Sequence, residues 1–534
     1  MPSLAVEEGT NSLAAGSEIA AVPSSNVDAQ PETAKTSRAV DAKRTSFRTL
    51  GSGALLYAIS SVLSRAVGFV MLPVYTRHLT PVDYGIIQLL DMTIDIAGVL
   101  FTAGITSGLQ RFYFKATAED ERRAIVFTTF AFEFGMALVG TALLIAAAPL
   151  VWSRGLHGAG STLLVRIAAC NFSLAILTRL PQSFLEVRQK ASASVVISLT
   201  RLVCQLTLNI VFVVGFETGA LGILLSTLVT NVLFGLPLCG WLLKQVGLAF
   251  RRSVVRDLRR FGIPYQLAFA GSFIATFGDR FFLQAYQGTA EVGRYGLSYQ
   301  FGFILAYLTF APFQSAWLPQ RHQLINASRE ERDRATARAF FFLNLLMFTG
   351  FVGISLFVGV IFRVMTTPAF YPAAGPVPII MAAYVIQSWA YAMGFSIDVR
   401  EETKYFNYAT WICTIVTAIG YYLLIPRWSS YGAAWATLIG FSTRFLLTHY
   451  WGHRLFPVHY GWAKPLRLAV CAVAIVVLSR FVVLPSFLGQ LAVAITGCAL
   501  FASLVWWQVL EPSDRERALR SLRRPGQAIR LFTA

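Results

Sequence analysis

The stretch Pro73–Gly85, PVYTRHLTPVDYG, returns as Gln284–Gly296, QAYQGTAEVGRYG, at an offset of about 211 positions. Each is a short polar passage between long apolar runs, each carries a tyrosine near its start (Tyr75, Tyr286), and each closes on Tyr-Gly (Tyr84-Gly85, Tyr295-Gly296). The correspondence extends both ways. Upstream, Gly51 answers Gly262; downstream, Gln110-Arg111 answers Gln320-Arg321, Lys190 answers Lys404, and Gly219-Ala220 answers Gly432-Ala433. The chain is therefore read as a duplication whose unit is a bundle of six apolar segments. An even number of segments per unit makes the copies parallel, related by an axis along the membrane normal, with a central cavity between them.

Lipid is the solvent for these segments. Of 534 residues, 55% are hydrophobic and only 13% are charged, too little polar material to coat a soluble globule of this size. Crossing about 30 Å of hydrocarbon takes roughly 20 apolar residues. Runs of that length are predicted at 49–72, 84–108, 123–147, 162–185, 193–214 and 218–243, then at 260–285, 296–319, 338–362, 376–398, 404–425 and 431–451. Two more, 465–484 and 488–508, follow. The expected fold class is an all-α integral membrane protein of about fourteen transmembrane helices. Its divisions are a cytoplasmic tail over 1–47, read as disordered from its composition; a first lobe over 48–245; a second over 256–455; two extra helices over 465–510; and a basic cytoplasmic tail over 511–534.

The net charge of +18 has a membrane explanation. Basic residues gather in alternate loops, as at Arg122-Arg123, Arg188 and Lys190, Arg251-Arg252 through Arg259-Arg260, and Arg329 through Arg338. The opposite loops offer only Arg77, Arg154, Arg294, Arg363, Arg427 and Arg480. That bias sets both termini in the cytoplasm and leaves no need for a nucleic-acid partner. All six cysteines (Cys170, Cys204, Cys239, Cys413, Cys471, Cys498) fall inside apolar runs without a CxxC pair or a histidine at ligand spacing, and read as small buried hydrophobes. There is no GxxxxGK[ST] loop, so no cofactor is expected, and movement of a cargo must draw on an ion gradient, the membrane potential or the cargo's own gradient.

Five further passages carry a family resemblance: Ser64-Arg65 followed by Gly68-Phe69; Pro73 through Thr80-Pro81 to Tyr84-Gly85; Gly108-Leu109 before Arg111; Asp279-Arg280; and Glu291 through Gly296. In their order, spacing and duplication the chain resembles the O-antigen-type polysaccharide and oligosaccharide flippases of the multidrug/oligosaccharidyl-lipid/polysaccharide exporter superfamily, across residues 48–455. The resemblance implies two pseudo-symmetric six-helix lobes in a V shape, opening alternately to either side of a bacterial inner membrane. It implies no enzymatic activity but export of an undecaprenyl-diphosphate-linked oligosaccharide for surface polysaccharide. The partners it implies are that cargo, membrane lipids and the polysaccharide polymerase or export machinery. Within the superfamily, a peptidoglycan lipid-precursor flippase also has fourteen helices and an arginine after serine in its first helix, and a cation-coupled multidrug exporter would want an acidic or apolar cavity. Outside it, a membrane-embedded prenyl or glycosyl transferase is the rival, since Asp91-x-x-x-Asp95 could hold magnesium beside a diphosphate; the further aspartates of such enzymes are missing.

Arg65, Arg166, Arg179, Arg201, Arg280 and Arg444 fall within predicted spans. An arginine at mid-membrane costs at least about 2.5–3.5 kcal/mol and so needs a partner or a wet cavity. Guanidinium groups bind phosphate oxygens in pairs and keep their charge at any working pH, which suits an anionic diphosphate. Arg65, Arg280, Arg201, Arg166 and Arg179 are accordingly the substrate-binding candidates. Arg65 aligns with Thr276, one helical turn before Arg280, so the two arginines occupy equivalent helix faces. The alternative is that these arginines pair with carboxylates, Arg280 with Asp279, or snorkel to headgroups. Asp91 and Asp95, at i and i+4, share one helix face and with Glu133 are candidates to carry a coupling sodium ion or proton; equally, the two aspartates could neutralise Arg65. Neither a catalytic residue nor a metal centre is expected.

Overall fold

The computed structural model describes residues 71–516 apart from 103, 156–161, 483, 485 and 513–514. Nearly all of the first expected span, with Arg65, and most of both tails lie outside the described residues. Every described element is a helix. In the first half these are α1 (Leu72–His78), α2 (Pro81–Phe101), α3 (Ile105–Lys115), α4 (Glu119–Gly155), α5 (Thr162–Val187), α6 (Ala191–Asn209) and α7 (Gly219–Val246). In the second they are α8 (Arg252–Phe277), α9 (Asp279–Gln287), α10 (Thr289–Leu305), α11 (Ala311–Gln323), α12 (Arg329–Met365), α13 (Val377–Met393), α14 (Phe395–Val399) and α15 (Lys404–Leu455), with α16 (Ala463–Phe481) and α17 (Phe487–Leu504) after them.

Ten of these segments, some joined end to end, are long and apolar enough to cross a membrane, and the chain is a multi-pass membrane protein. The number, which is that of the described residues, departs from fourteen because the first expected run lies outside them and for three further reasons. Helix α15 holds 52 residues, roughly 78 Å at the usual rise, and covers both runs expected at 404–425 and 431–451. It bends between them at Ser429, whose φ of 49° and ψ of −131° are not helical. The runs expected at 260–285 and 465–484 are also helical, but α8 starts in the basic cluster Arg252–Arg260 and α16 carries Lys464, Arg467 and Arg480. Composition alone therefore does not mark them as spans.

Local chemistry sets the helix starts. Thr80 and Asp83 form a reciprocal capping box at the head of α2, where Pro81 has no N–H to satisfy. Ser328 and Ser486 cap α12 and α17 by accepting from Glu331 N and Gly489 N at 3.3 and 3.0 Å. The second span breaks at Gly104, whose φ of +79° is open to glycine at little cost, and resumes as α3.

In the first half α5 packs against α4 and α7; in the second, α13 and the α8–α9 pair pack against α15, and α16 and α17 both lie on α12. The duplication is visible in detail. The turns before α7 and within α15 each place a non-glycine residue at positive φ, Glu217 at 51° and Ser429 at 49°. Each turn meets an acidic group at the head of a neighbouring helix: Gly219 lies against Asp83 of α2, and Ser429 Oγ donates to Glu291 Oε1 of α10 at 3.2 Å.

The halves meet along α2 and α10. A Cβ added to Gly85 would run into the carbonyl of Thr289, and one on Gly293 into that of Pro81. Gly296 lies against the Gln88 side chain, and Gln300 Nε2 donates to the Tyr84 hydroxyl at 3.5 Å. Tyr84 also stands edge-on to Phe370 at 5.8 Å, and the main apolar core runs unbroken through Tyr84, Tyr295, Phe301 and Tyr421. The Tyr-Gly motifs that revealed the repeat are thus the surfaces on which its two copies touch. A second contact joins α3 to α8, with Gly108 on Leu258 and Arg111 over the Phe261 ring at 4.9 Å.

Candidate functional site

Tyr84, Gln88, Asp91, Asp95 and Thr102 lie within about 60° of one another around α2. The first two are taken up by α10. Farther along the same stripe, Asp91 and Asp95 are exposed, and neither is ion-paired among the described residues. Arg65, the counter-charge considered for them, lies outside the described residues.

Glu133 of α4 and Arg179 of α5 form one ion pair. The sequence assigned one to coupling and the other to cargo; the fold brings them together across helices distant in sequence. Glu133 is 0% exposed and the Arg179 side chain 48%, so the carboxylate depends on a guanidinium whose other side faces open space. Thr106 Oγ1 donates to Glu133 Oε2 at 3.4 Å and Arg179 Nη2 donates to Thr102 Oγ1 at 3.3 Å. These two threonines flank Gly104, so the pair grips the bend of the second span.

Arg280 is 1% exposed and its neighbour Asp279 0%, with Nη1 to Oδ1 at 2.6 Å. Arg280 Nη1 also donates to the Thr276 carbonyl at 3.1 Å. The guanidinium lies 4.1 Å from the Tyr299 ring centre, 5.2 Å from that of Phe277 and 5.5 Å from that of Tyr295. The pairing of Arg280 with Asp279, the alternative weighed from sequence, is what the structure shows. Asp279 and the three rings offset the buried charge inside the second half, while Asp279 Oδ2 and Arg280 Nε have no hydrogen-bond partner among the described residues.

Arg201 of α6 donates from Nη2 to Asn231 Oδ1 of α7 at 2.9 Å. It heads a polar network absent from the sequence reading. Asn231 Nδ2 donates to Asn171 Oδ1 at 3.5 Å; Gln205 Nε2 donates to Ser226 Oγ and Thr227 Oγ1 at 3.0 and 3.2 Å; Asn209 bonds Ser226 and donates to the Tyr75 hydroxyl at 2.7 Å. A signal was present: Ser194, Ser198, Arg201, Gln205 and Asn209 recur at helical spacing on one face of an apolar run. Arg166 is exposed near the start of α5, about 220° around that helix from Arg179, so the two cannot share a face. Arg444 stacks over Tyr391 at 5.1 Å. The described residues hold no group of three or more His, Cys, Asp or Glu placed to bind a metal, and the six cysteines are free thiols.

Helices α2 and α10 of opposite halves thus meet backbone to backbone at Gly85 and Gly293, and farther along α2 the carboxylates of Asp91 and Asp95 are exposed. Solved structures share this fold. One titled "Lipid II flippase MurJ, inward closed conformation" superposes at a TM-score of 0.67 with 14% identity, covering 85% of this chain and 99% of its own. An inward-facing multidrug resistance MATE family transporter of the MOP superfamily gives 0.58 with 15% identity, over 73% of this chain and 97% of its own. A MOP superfamily transporter from Pyrococcus furiosus, titled for the reverse polarity of its binding pocket, gives 0.51 with 13% identity, over 75% and 94%. No curated protein matches at the level of sequence. The family model described as polysaccharide biosynthesis protein matches residues 50–325, more than half of the chain, and the chain belongs to that family.

Proposed function

We propose that the chain is a flippase that carries an undecaprenyl-diphosphate-linked oligosaccharide from the cytoplasmic to the outer leaflet of a bacterial inner membrane by alternating access, making and breaking no covalent bond. The observation that carries this reading is the family membership of a duplicated helical bundle whose halves close on each other through Gly85 and Gly293. At these two glycines backbone meets backbone, so no side-chain interlock has to be undone there, which suits two halves that must part and rejoin; Gln88, Gln300 and Tyr84 bridge the same helices beside them. Of the five arginines, Arg166 and Arg179 are exposed and Arg201 half-buried, within reach of a diphosphate. Arg280, buried and held by Asp279, has a structural role in this reading, and Arg65 lies outside the described residues. Asp91 and Asp95 are the proposed carriers of the coupling sodium ion or proton, with Glu133 poised behind Arg179. Both termini face the cytoplasm in this reading, and polymerase or export machinery takes the product on the outer side.

The test is reconstitution. Purified protein in vesicles carrying a labelled polyprenyl-diphosphate oligosaccharide is expected to expose the sugar to an impermeant reagent on the far leaflet, at a rate that Arg179→Ala lowers. A label that stays on its starting leaflet in protein-containing vesicles, with the protein verified as folded, would overturn the proposal.

A further inference from the structure

Away from the space between the halves, a cavity of about 230 Å³ lies where α16 and α17 meet α12. At about 30 Å³ per water this is room for roughly eight waters, or a glycerophosphate unit. Val358 and Val493 supply apolar wall, and the polar groups on it are Ser355, Ser479, Arg480 and Gln490. Arg480, in the last turn of α16, is exposed and has no ion pair or hydrogen bond among the described residues. Among the described residues, Gln490 Oε1 is buried with no donor, the Ser355 hydroxyl has the Met381 sulfur at 3.9 Å as its partner, and no carboxylate lines the cavity.

These groups make complementary demands. A guanidinium on an apolar wall calls for an anion, and phosphate oxygens fit its fork. A buried amide oxygen without a donor calls for a hydroxyl or ammonium, since leaving it bare costs about 1–3 kcal/mol. An ammonium beside Arg480, with no carboxylate near, would be repelled; a glycerol hydroxyl would not. Val482 and Leu484 also line the cavity, and Leu484 and the nearby Leu488 are exposed, apolar surface along which an acyl chain could lie.

We propose that this cavity binds an anionic glycerophospholipid of the phosphatidylglycerol type, with the phosphate on Arg480 and headgroup hydroxyls on Gln490 and Ser355. The cavity is lined by none of the residues of α2 and α10 on which the halves meet, and its test does not depend on transport. The full chain, purified in detergent, is followed by native mass spectrometry and thermal unfolding while dioleoyl phosphatidylglycerol, dioleoyl phosphatidylethanolamine or inorganic phosphate is added. Phosphatidylglycerol is expected to persist as a one-lipid adduct and raise the unfolding midpoint, phosphatidylethanolamine to bind at least fivefold more weakly, and inorganic phosphate to do nothing. Arg480→Gln should weaken the phosphatidylglycerol adduct at least tenfold, and Arg480→Lys less. Gly359→Val fills the cavity from α12; a Cβ there would meet Gln490 Oε1 at an ordinary 3.7 Å, so the fold accommodates it, and binding should fall without a change of charge. Unchanged binding in both Arg480→Gln and Gly359→Val would refute the site. Equal binding of the two lipids would refute the headgroup assignment, and competition by inorganic phosphate alone would show an anion site with no lipid specificity.

Discussion

Replacing Gly85 by alanine tests how the two halves meet. The added methyl is aimed at the Thr289 carbonyl, a backbone atom that no rotamer change can move, and Gly293→Ala directs the same conflict at Pro81 from the other side. Relief requires α2 and α10 to separate. Overpacking of a close contact costs about 1–3 kcal/mol. Borne by the state in which these helices touch and absent once they part, that cost shifts the equilibrium toward the parted state by about 5- to 150-fold. A parted state near 1% would rise to between about 5% and 60%. Spin labels on the exposed His78 and Gln287, at the ends of α1 and α9, report the separation by electron–electron double resonance. The long-distance population should grow in Gly85→Ala and again in the double variant. Gly353→Ala, which meets nothing within 4 Å, should leave the distribution as in the parent. Well-folded Gly85→Ala and Gly293→Ala proteins with unaltered distances and unaltered flipping would refute the reasoning.

The Glu133–Arg179 pair should respond asymmetrically: Arg179→Ala strands a fully buried carboxylate and should cost about 2–4 kcal/mol, whereas Glu133→Gln leaves a half-exposed guanidinium that water can serve and should cost about 1 kcal/mol, both read from unfolding midpoints in detergent. Arg280→Met alone should destabilise by about 3–5 kcal/mol because Asp279 is left charged and buried, and adding Asp279→Asn should recover most of that loss. Asp91→Asn with Asp95→Asn should leave the unfolding midpoint within about 0.5 kcal/mol of the parent, since both groups are exposed and unpaired among the described residues, while gradient-driven flipping in vesicles falls at least tenfold. Asn231→Ala should cost about 1–2 kcal/mol by removing the acceptor of Arg201 and a partner of Asn171, again measured by unfolding.

The fold was legible because lipid leaves few choices: apolar length dictates helix, and the doubled Tyr-Gly passages mark the helices α2 and α10 that pack on each other. What could not be read was how charges find one another. Asp279 and Arg280 are neighbours in sequence, so their pairing could be anticipated; Glu133 and Arg179 belong to different helices and meet only through packing. Asn171, Asn209 and Asn231 escaped notice because isolated amides in apolar runs carry no charge signal; the helical spacing of Ser194, Ser198, Arg201, Gln205 and Asn209 along α6 was the signal available. The span count differs where basic residues enter helices expected to cross the membrane, in α8 and α16, and where a turn at Ser429 hides inside one helix of 52 residues.

The most direct test of the central claim is the leaflet on which the lipid-linked oligosaccharide resides in cells lacking this gene, compared with cells in which it is restored. Accumulation on the cytoplasmic leaflet, cleared by the wild-type chain and not by a folded Arg179→Ala variant at equal abundance, is the predicted result. A leaflet distribution that is the same with and without the gene would contradict the account.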